Sequence, residues 1–568
     1  MHAIPAPSSS SRVTNATGLR YWMQQVLEEC DNVSANFSPD SVHDLRVSLR
    51  RCRSLADGVM ALDPNPEWKA MKKAGKRLFQ RLGNLRDIHV MQEWVEKLEK
   101  SIAERTPLRQ AQDKDKDKDK NKDKKEDKPS SSVLLFHASP DSADAVPHSA
   151  LGPAQSLLRI LSTRETEQKR EAQAALKEFD GKQWRRWSRS LPARAARIRP
   201  GSPLFKHLAL ERWTAARDLH NRALRNRSQV AFHSLRIGIK RFRYIVENFL
   251  PAEHKMWSAG LKEIQDLLGE VHDLDVLWST AVSSHIFPDA PSRALWRQQI
   301  LAQRTKRIDG YRAKMVGPDS LWLAWRSALP QGKQIQALAT SRMKLWANGL
   351  DPDFPHSERV ASLALQLYDG LLALAWQPAL DASSARFSLL AAALLHDVGK
   401  FKGDKGHHKV SLTMIRKHGN PLGWKAADLQ RAAVVARFHR GALPARKHKL
   451  LRDLLPDEQK AIIQLAAILR LANALDAGHD GRIGRIQVES SVNKNTPVRA
   501  ARVHKKITGG FLSKPNRLAP DEALLISAEG YSPLGPYAQT IAAERHLLET
   551  VLRRPVLIKA TKHSTIVG

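Results

Sequence analysis

Apolar residues recur at helical spacing along most of this 568-residue chain, and the pattern is sharpest in two stretches that echo one another. Val42 to Leu55 reads VHDLRVSLRRCRSL, and Phe232 to Ile245 reads FHSLRIGIKRFRYI. In the first, Val42, Leu45, Leu49, Cys52 and Val59 form an apolar stripe; Phe232, Leu235, Ile239, Phe242 and Phe249 form its counterpart. Steps of three and four predict an amphipathic helix in each case. A second stripe, of cations, runs beside the first. His43, Arg46, Arg50 and Arg53 fall on one helical face, and His233, Arg236, Lys240 and Arg243 repeat them. Ser38-Pro39 and Ser228 supply helix starts, and Pro64 and Pro251 supply stops.

A further echo follows each helix: LGNLRDIHV at Leu82 to Val90 and LGEVHDLDV at Leu268 to Val276, with Lys76 and Lys262 at matching positions upstream. Residues 18–330 therefore read as two copies of a helical hairpin unit, packed as one all-α domain with an internal two-fold. Residues 1–17 are small, polar and Pro-containing, which predicts a disordered N-terminus. Residues 113–128 read DKDKDKDKNKDKKEDK, a nearly neutral run that can bury nothing, so 105–150 is expected to be a disordered charged insertion. The pattern breaks at Leu329-Pro330-Gln331-Gly332. A new helical region is expected over 334–480. Beyond it, 481–568 reads as a small α/β piece. Its expected elements are strands at Ile483–Val488, Val498–Val503, Ala523–Ile526 and Val556–Lys559, with a helix over Tyr537–Leu552. The fold class is mainly α.

Composition narrows the partners. The net charge is +34, of which residues 1–340 carry +19 and 341–568 carry +15, so the excess is not a single basic tail. That favours an acidic partner: nucleic acid, polyphosphate, a phosphorylated metabolite or an anionic surface. Two cysteines, Cys30 and Cys52, cannot build a disulfide framework and are expected to stay reduced. The N-terminus lacks a signal-peptide pattern, and the apolar runs are too short to span a bilayer. A cytoplasmic protein with no membrane association is the expectation.

The paired helices and their LGxxxDxxV echoes resemble the CHAD domain, the histidine-containing α-helical domain, a family that binds inorganic polyphosphate. The resemblance covers 18–330 and implies a basic groove or pore lined by His43, Arg46, Arg50, Arg53, His233, Arg236, Lys240 and Arg243, with Lys76 and Lys262 added from the next helices. The residue types suit that ligand independently. A guanidinium donates paired hydrogen bonds to phosphate oxygens, and a row spaced by one helical turn, roughly 5.4 Å, meets successive groups of an extended polymer. No zinc-finger, ribonucleoprotein or helix-turn-helix pattern is present, so nucleic acid ranks last among the ligands.

A second constellation lies at Leu394 to Lys400, LLHDVGK. Adjacent His396 and Asp397 at the end of an apolar helix can share one cation, with His356 before them and Asp476 after them as the remaining ligands. His…His-Asp…Asp is the ligand order of HD-type phosphohydrolases. Such a nitrogen and oxygen set suits Mn, Fe, Zn or Mg. GHHKVS at Gly406 to Ser411 and ARFHRGALP at Ala436 to Pro444 add a resemblance to the C-terminal, HD-like region of the exopolyphosphatase/guanosine-pentaphosphatase family. His407, His408 and His439 are candidates for a second metal bridged by Asp397. Lys400, Arg437 and Arg440 are candidates, with Asp397, for the catalytic set, the cations neutralising charge on a phosphate.

That family's main hydrolytic site belongs to an actin-like region with Gly-rich phosphate loops. Nothing here resembles it, and the CHAD-like domain stands in its place. The expectation is a polyphosphate-binding, metal-dependent phosphohydrolase of exopolyphosphatase-like type, whose helical domain captures the polymer for the HD site. Two rivals stand beside it. One is a non-enzymatic protein targeted to polyphosphate granules; the other is a phosphohydrolase of guanosine tetra- or pentaphosphate-like nucleotides regulated by polyphosphate.

Overall fold

A computed structural model describes residues 18–120, 152–490 and 523–561. The fold is mainly α, with, among the described residues, one three-stranded sheet near the C-terminus. The chain divides into two compact units at Pro330–Gln331. The expected disordered N-terminus, the part of the insertion beyond Lys120 and the strand expected at Val498–Val503 lie outside the described residues.

Among the described residues, eleven helices build the first unit: α1 Leu19–Ala35, α2 Pro39–Val59, α3 Pro66–Ala74, α4 Lys76–Lys120, α5 Pro153–Lys177, α6 Gly181–Ala195, α7 Pro203–Asn226, α8 Gln229–Phe249, α9 Pro251–Ser283, α10 Ala290–Met315 and α11 Leu321–Ser327. The echoing segments are α2 and α8. Their starts follow the sequence signals: Ser38 accepts from the Ser41 backbone N–H in a reciprocal capping box with Pro39 in the first turn, and Ser228 accepts from Ala231. Their apolar stripes are buried throughout, from Val42 to Val59 and from Phe232 to Phe249. Helix α4 continues to Lys120, into the segment expected to lack structure. A helix already nucleated upstream extends at little cost, even through a run with no apolar residue.

The duplication reaches further than its two sequence echoes. Helices α1, α2, α4 and α5 are matched by α7, α8, α9 and α10, each pairing with its neighbour in the same order. Helices α6 and α11 complete the match through a third echo, Trp184-x-x-Trp187-x-x-x-Leu191-Pro192 against Trp322-x-x-Trp325-x-x-x-Leu329-Pro330. All four tryptophans are buried, and the Trp184 indole N–H donates to the Met23 carbonyl at 3.0 Å. The charged insertion separates this echo from the other two, which hides it in the linear sequence. Both cysteines are free and buried, and burial pushes the Cys30 thiol up to about 12.

Among the described residues, seven α-helices and the sheet build the second unit: α12 Lys333–Asn348, α13 Phe354–Ala373, α14 Ala382–Leu395, α15 His407–His418, α16 Ala426–Arg437, α17 Pro456–Leu475, strands β1 Ile486–Ser490 and β2 Leu524–Glu529, helix α18 Ala538–Leu552 and strand β3 Val556–Thr561, with a short 3-10 helix Val398–Lys402 after α14. Helix α17 is its axis, buried almost all round from Ala461 to Leu475. Ala391, Ala392 and Ala393 make α14 slender enough to pack beside it, with α13 and α16 completing the core. Strand β2 lies at the centre of the sheet, antiparallel to β1 and parallel to β3, with α18 as the crossover between β2 and β3. Arg470 of α17 pins this piece in place, donating to both carboxylate oxygens of Glu544 at 2.6 and 3.0 Å.

The two echoing helices of the first unit meet closely at Gly58, where an added Cβ would lie 2.1 Å from the Phe249 ring; that ring stacks on Phe205 at 4.1 Å. Gly58→Ala is therefore expected to destabilise the first unit by about 1–3 kcal/mol through overpacking, read as a lower denaturant midpoint with an unchanged slope.

Candidate functional site

Two sites take shape, one in each unit. In the first, the cationic stripes of α2 and α8 converge. Lys240 lies in the field of Arg236, Arg50 and Arg46. Burial, reinforced by those three guanidiniums, pushes its ammonium down to about 8. Helices α4 and α9 add the rest: Arg86 and Asp87 from one echo, His272 and Asp273 from the other. Arg46 with Arg236, Arg50 with Lys240, Arg86 with His272 and Asp87 with Asp273 are each repeat-equivalent pairs. The cluster therefore sits where the two copies face one another. Its two carboxylates soften the repulsion among the cations. Burial pushes Asp273 up to about 6; the Arg236 charge opposes that shift and the Asp87 charge assists it. His272 is pushed down to about 4 by burial and then by Arg236, and its Nδ1 lies 3.2 Å from that of His233.

The second site lies at the end of α14. Three histidines there share one local geometry. His396 Nδ1 donates to the Ala393 carbonyl at 2.7 Å, His407 Nδ1 to Asp404 at 2.8 Å and His439 Nδ1 to Ala436 at 2.7 Å. A carbonyl only accepts, so each Nδ1 carries the proton and each Nε2 lone pair faces the centre when the ring is neutral. At that centre is Asp397, almost fully buried. Its Oδ1 lies 3.1 Å from His407 Nε2 and 3.6 Å from His439 Nε2, and those two nitrogens are 3.1 Å apart. Its Oδ2 lies 2.5 Å from Lys400 Nζ and 3.4 Å from His396 Nε2. Burial alone raises the Asp397 carboxyl. The fields of His396 and His439, with hydrogen bonds from His407 and Lys400, override that and hold it well below the usual carboxylate range.

The backbone of the HDVGK turn is fixed from α15. Ser411 Oγ donates to the His396 carbonyl at 2.6 Å and accepts from the Gly399 N–H at 2.9 Å. A Cβ at Gly399 would stand 2.1 Å from the His407 carbonyl, so only glycine lets the turn approach α15. His356 and Asp476 close the other side. His356 Nδ1 lies 2.7 Å from Asp476 Oδ2, which also accepts from Arg359 Nε at 2.9 Å, while Asp476 Oδ1 accepts from the Gly481 N–H at 3.2 Å. The His356 ring stacks on His479 at 3.9 Å.

Two donor sets share Asp397: His356, His396 and Asp397, and Asp397, His407 and His439; within each, one atom per residue lies within 4.8 Å of the others. Both sets are compatible with a metal site. The fit is supported by His396 Nε2 and Asp397 Oδ1, buried polar atoms with no aligned hydrogen bond.

Residues 18–282 match the family model of the CHAD domain, and residues 343–508 match that of Ppx/GppA phosphatase, domain III. The chain joins a CHAD domain to a Ppx/GppA phosphatase domain III. Together these suggest a polyphosphate-related phosphatase function and an interaction with polyphosphate or a phosphorylated substrate. No curated protein matches the chain. Among the described residues no helix is long and apolar enough to cross a membrane.

Within the CHAD domain, four of the expected residues, Arg46, Arg50, Arg236 and Lys240, are neighbours in one cluster. Arg46 also donates to the Gly83 carbonyl at 3.1 Å. Arg53 is turned into the fold, donating to the Lys72 carbonyl at 2.8 Å, and Arg243 lies 3.7 Å from Glu247. His43 and His233 are exposed on their helices. Lys76 and Lys262 are exposed too, each roughly three helical turns before the aspartate of its echo. Arg86, Asp87, His272 and Asp273 were legible only as marks of the duplication; the signal for Asp87 and Asp273 was an acid at the same place in both echoes.

Within the phosphatase domain III, Asp476 stands behind His356 rather than in either donor set. His408 also lies outside both, half-buried with its Nδ1 unpartnered. Arg437 is buried with an unpartnered Nη1 and adds to the field that, after burial, pushes His408 down to about 4. Arg440 is exposed. His479 and Asn473, which lies 3.1 Å from His356 Nε2, carried no sequence signal.

The CHAD cluster makes a pH prediction. Asp273 has a folded pKa above its unfolded value, so the fold favours its protonated form. Its contribution to stability is full below about pH 4 and is lost as pH rises through about 6. Asp273→Asn is expected to raise stability at pH 7.5 by of order 1–2 kcal/mol and to flatten the melting-temperature profile between pH 4 and 7. An unchanged profile would count against the arrangement.

Proposed function

We propose that the chain is a polyphosphate-binding, metal-dependent phosphohydrolase of exopolyphosphatase-like type, with its chemistry at Asp397. The observation that carries this reading is the convergence of Asp397 Oδ1 with two imidazole Nε2 atoms whose Nδ1 protons are committed to backbone carbonyls. Two bare lone pairs 3.1 Å apart beside a carboxylate are unfavourable unless a cation or a proton compensates them.

Asp397, His407 and His439 would hold one divalent cation, and His356, His396 and Asp397 a second, with Asp476 orienting His356 as an outer partner. Mn, Fe, Zn and Mg all suit the donor types. Such a cation supplies polarisation of a phosphoryl oxygen and acidification of an attacking water. Lys400, held by Asp397, places an ammonium beside that centre. Arg437 offers a buried guanidinium with a free donor to neutralise charge on the phosphate, and Arg440 adds positive charge at the surface. His408, with its unpartnered nitrogen, is a further phosphate contact.

In the CHAD domain, Arg46, Arg50, Arg236 and Lys240 bind the polymer, with Arg86 and His272 beside them. Burial first, and crowding by like charge after it, lowers the proton affinity of Lys240, and an incoming polyanion relieves the crowding. Joining this domain to the hydrolytic one raises the local substrate concentration without new contacts at the reacting centre.

Phosphate release from polyphosphate of defined length, assayed with Mn²⁺ or Mg²⁺, tests the assignment. Asp397→Ala is expected to lower release by at least about 100-fold while polyphosphate binding persists. The His407→Ala/His439→Ala pair is expected to lower the metal content of the purified protein. Replacing Arg46, Arg50, Arg236 and Lys240 by Ala is expected to raise KM on long chains by at least about tenfold with a smaller change in kcat; identical turnover would sink the capture role. Release from a guanosine pentaphosphate-like nucleotide alone would move the substrate, and none from either would leave a binding protein.

A further inference from the structure

The third echo, α6 against α11, holds a difference that the fold does not require. In both helices the paired tryptophans are buried. The positions around them diverge. Lys182, Arg185, Arg186 and Arg189 of α6 correspond to Ser320, Leu323, Ala324 and Ser327 of α11. The second copy packs its tryptophans without those charges, so the charges of the first copy are not a condition of the motif.

The four cations share one exposed face of α6, spaced at one helical turn, and with Ser190 they line an open basin of about 600 Å³. Elsewhere in the same unit several cations are matched by acids: Arg77 with Glu178, Arg81 with Glu171, Arg304 with Asp275 and Arg307 with Glu270. Among the described residues, none of the four on α6 has an ion-pair partner. The acid that reaches this helix, Glu67, lies 3.4 Å from Ser190 Oγ.

We propose that this face of α6 is a second polyanion-binding surface of the CHAD domain, taking the part of a long inorganic polyphosphate chain that extends beyond the cluster of α2 and α8. The proposal rests on the polyphosphate reading of that cluster and does not require hydrolysis. Helix α3 links the two places: Arg53 of α2 donates to its Lys72 carbonyl, and its Glu67 meets Ser190 of α6. Helix α1 also packs against both, and with two helices between them at interaxial spacings of 8–10 Å, α2 and α6 stand roughly 15 Å apart. A long polymer covers that distance; a tripolyphosphate does not. A single-stranded nucleic acid is the poorer fit, because Trp184 and Trp187 are buried and the basin offers no aromatic face for a base to stack on.

The test is affinity as a function of chain length, in the full protein, for Arg185→Gln/Arg186→Gln/Arg189→Gln. Glutamine keeps the helix propensity and spares the tryptophan face. The expected result is at least a fivefold weaker affinity for polyphosphate of about 100 units, with tripolyphosphate affinity unchanged. The slope of log affinity against log salt for the long chain should fall in magnitude by about 2. A matched variant, Arg293→Gln/Arg297→Gln/Lys306→Gln on α10, removes the same charge elsewhere and should leave both ligands unaffected. Equal long-chain affinity in wild type and the α6 variant would overturn the proposal, as would an equal loss in the α10 variant or a parallel loss for tripolyphosphate. So would loss of an oligonucleotide's binding with long polyphosphate untouched. Failure of the polyphosphate reading itself is separate, since wild type would then bind neither length.

Discussion

A carboxylate taken out of water is the constraint around which the phosphatase domain III is arranged. Asp397 is almost completely buried, and an isolated charge there would cost several kcal/mol. Each nearby feature of the fold answers that cost. Helix α14 is apolar nearly all round, so its end comes inside the unit rather than at its surface. Lys400 sits one turn further on to pair with Oδ2, and three histidines from three other positions turn toward the same group. Three backbone carbonyls choose their tautomers. The result is a centre of negative charge ringed by lone pairs, which is the electrostatic complement of a cation.

The CHAD domain solves the opposite problem. Duplication brings equivalent helices face to face, and a cationic stripe present in each copy then meets its own image. Arg46, Arg50, Arg236 and Lys240 crowd together by symmetry. Asp87 and Asp273, also a symmetric pair, reduce the repulsion without cancelling it. The crowding is held by the buried stripes of α2 and α8 and by contacts between those helices, such as Arg51 with Glu247 at 2.5 Å and Asn248 Nδ2 donating to Ser54 Oγ at 3.0 Å. Apolar burial therefore sustains an electrostatic tension that a polyanion would release.

One buried guanidinium relates the sheet-bearing C-terminal piece to the histidine site in the same unit. Arg470 holds Glu544 of α18 and also donates to the carbonyls of Phe438 and Gly441, which flank His439 and Arg440 in the chain. The short strands and α18 thus contribute to the position of His439, although none of their own residues enters the donor sets.

Periodicity alone determined the helical class, the duplication and the two cationic stripes, because a 3.6-residue repeat written twice leaves little choice of which face is buried. The dipeptide at His396-Asp397 and the histidines at 407 and 439 were also legible, since a glycine-flanked turn after an apolar run marks where a helix ends. Tertiary structure alone decided which candidates meet. Asp476 and His408 have the right chemistry at plausible spacing, yet the packing of α13 against α17 gives Asp476 to His356 and Arg359, and the turn into α15 leaves His408 outside the donor sets. Arg53 and Arg243 share the helical face of Arg46 and Arg236 but are drawn to the Lys72 carbonyl and to Glu247. The third echo is not legible along the chain because, in the first copy, the charged insertion lies between it and the others. Spacing along a chain fixes the face on which a side chain emerges; the partner it finds there is set by elements far away in sequence, through contacts that no local pattern encodes.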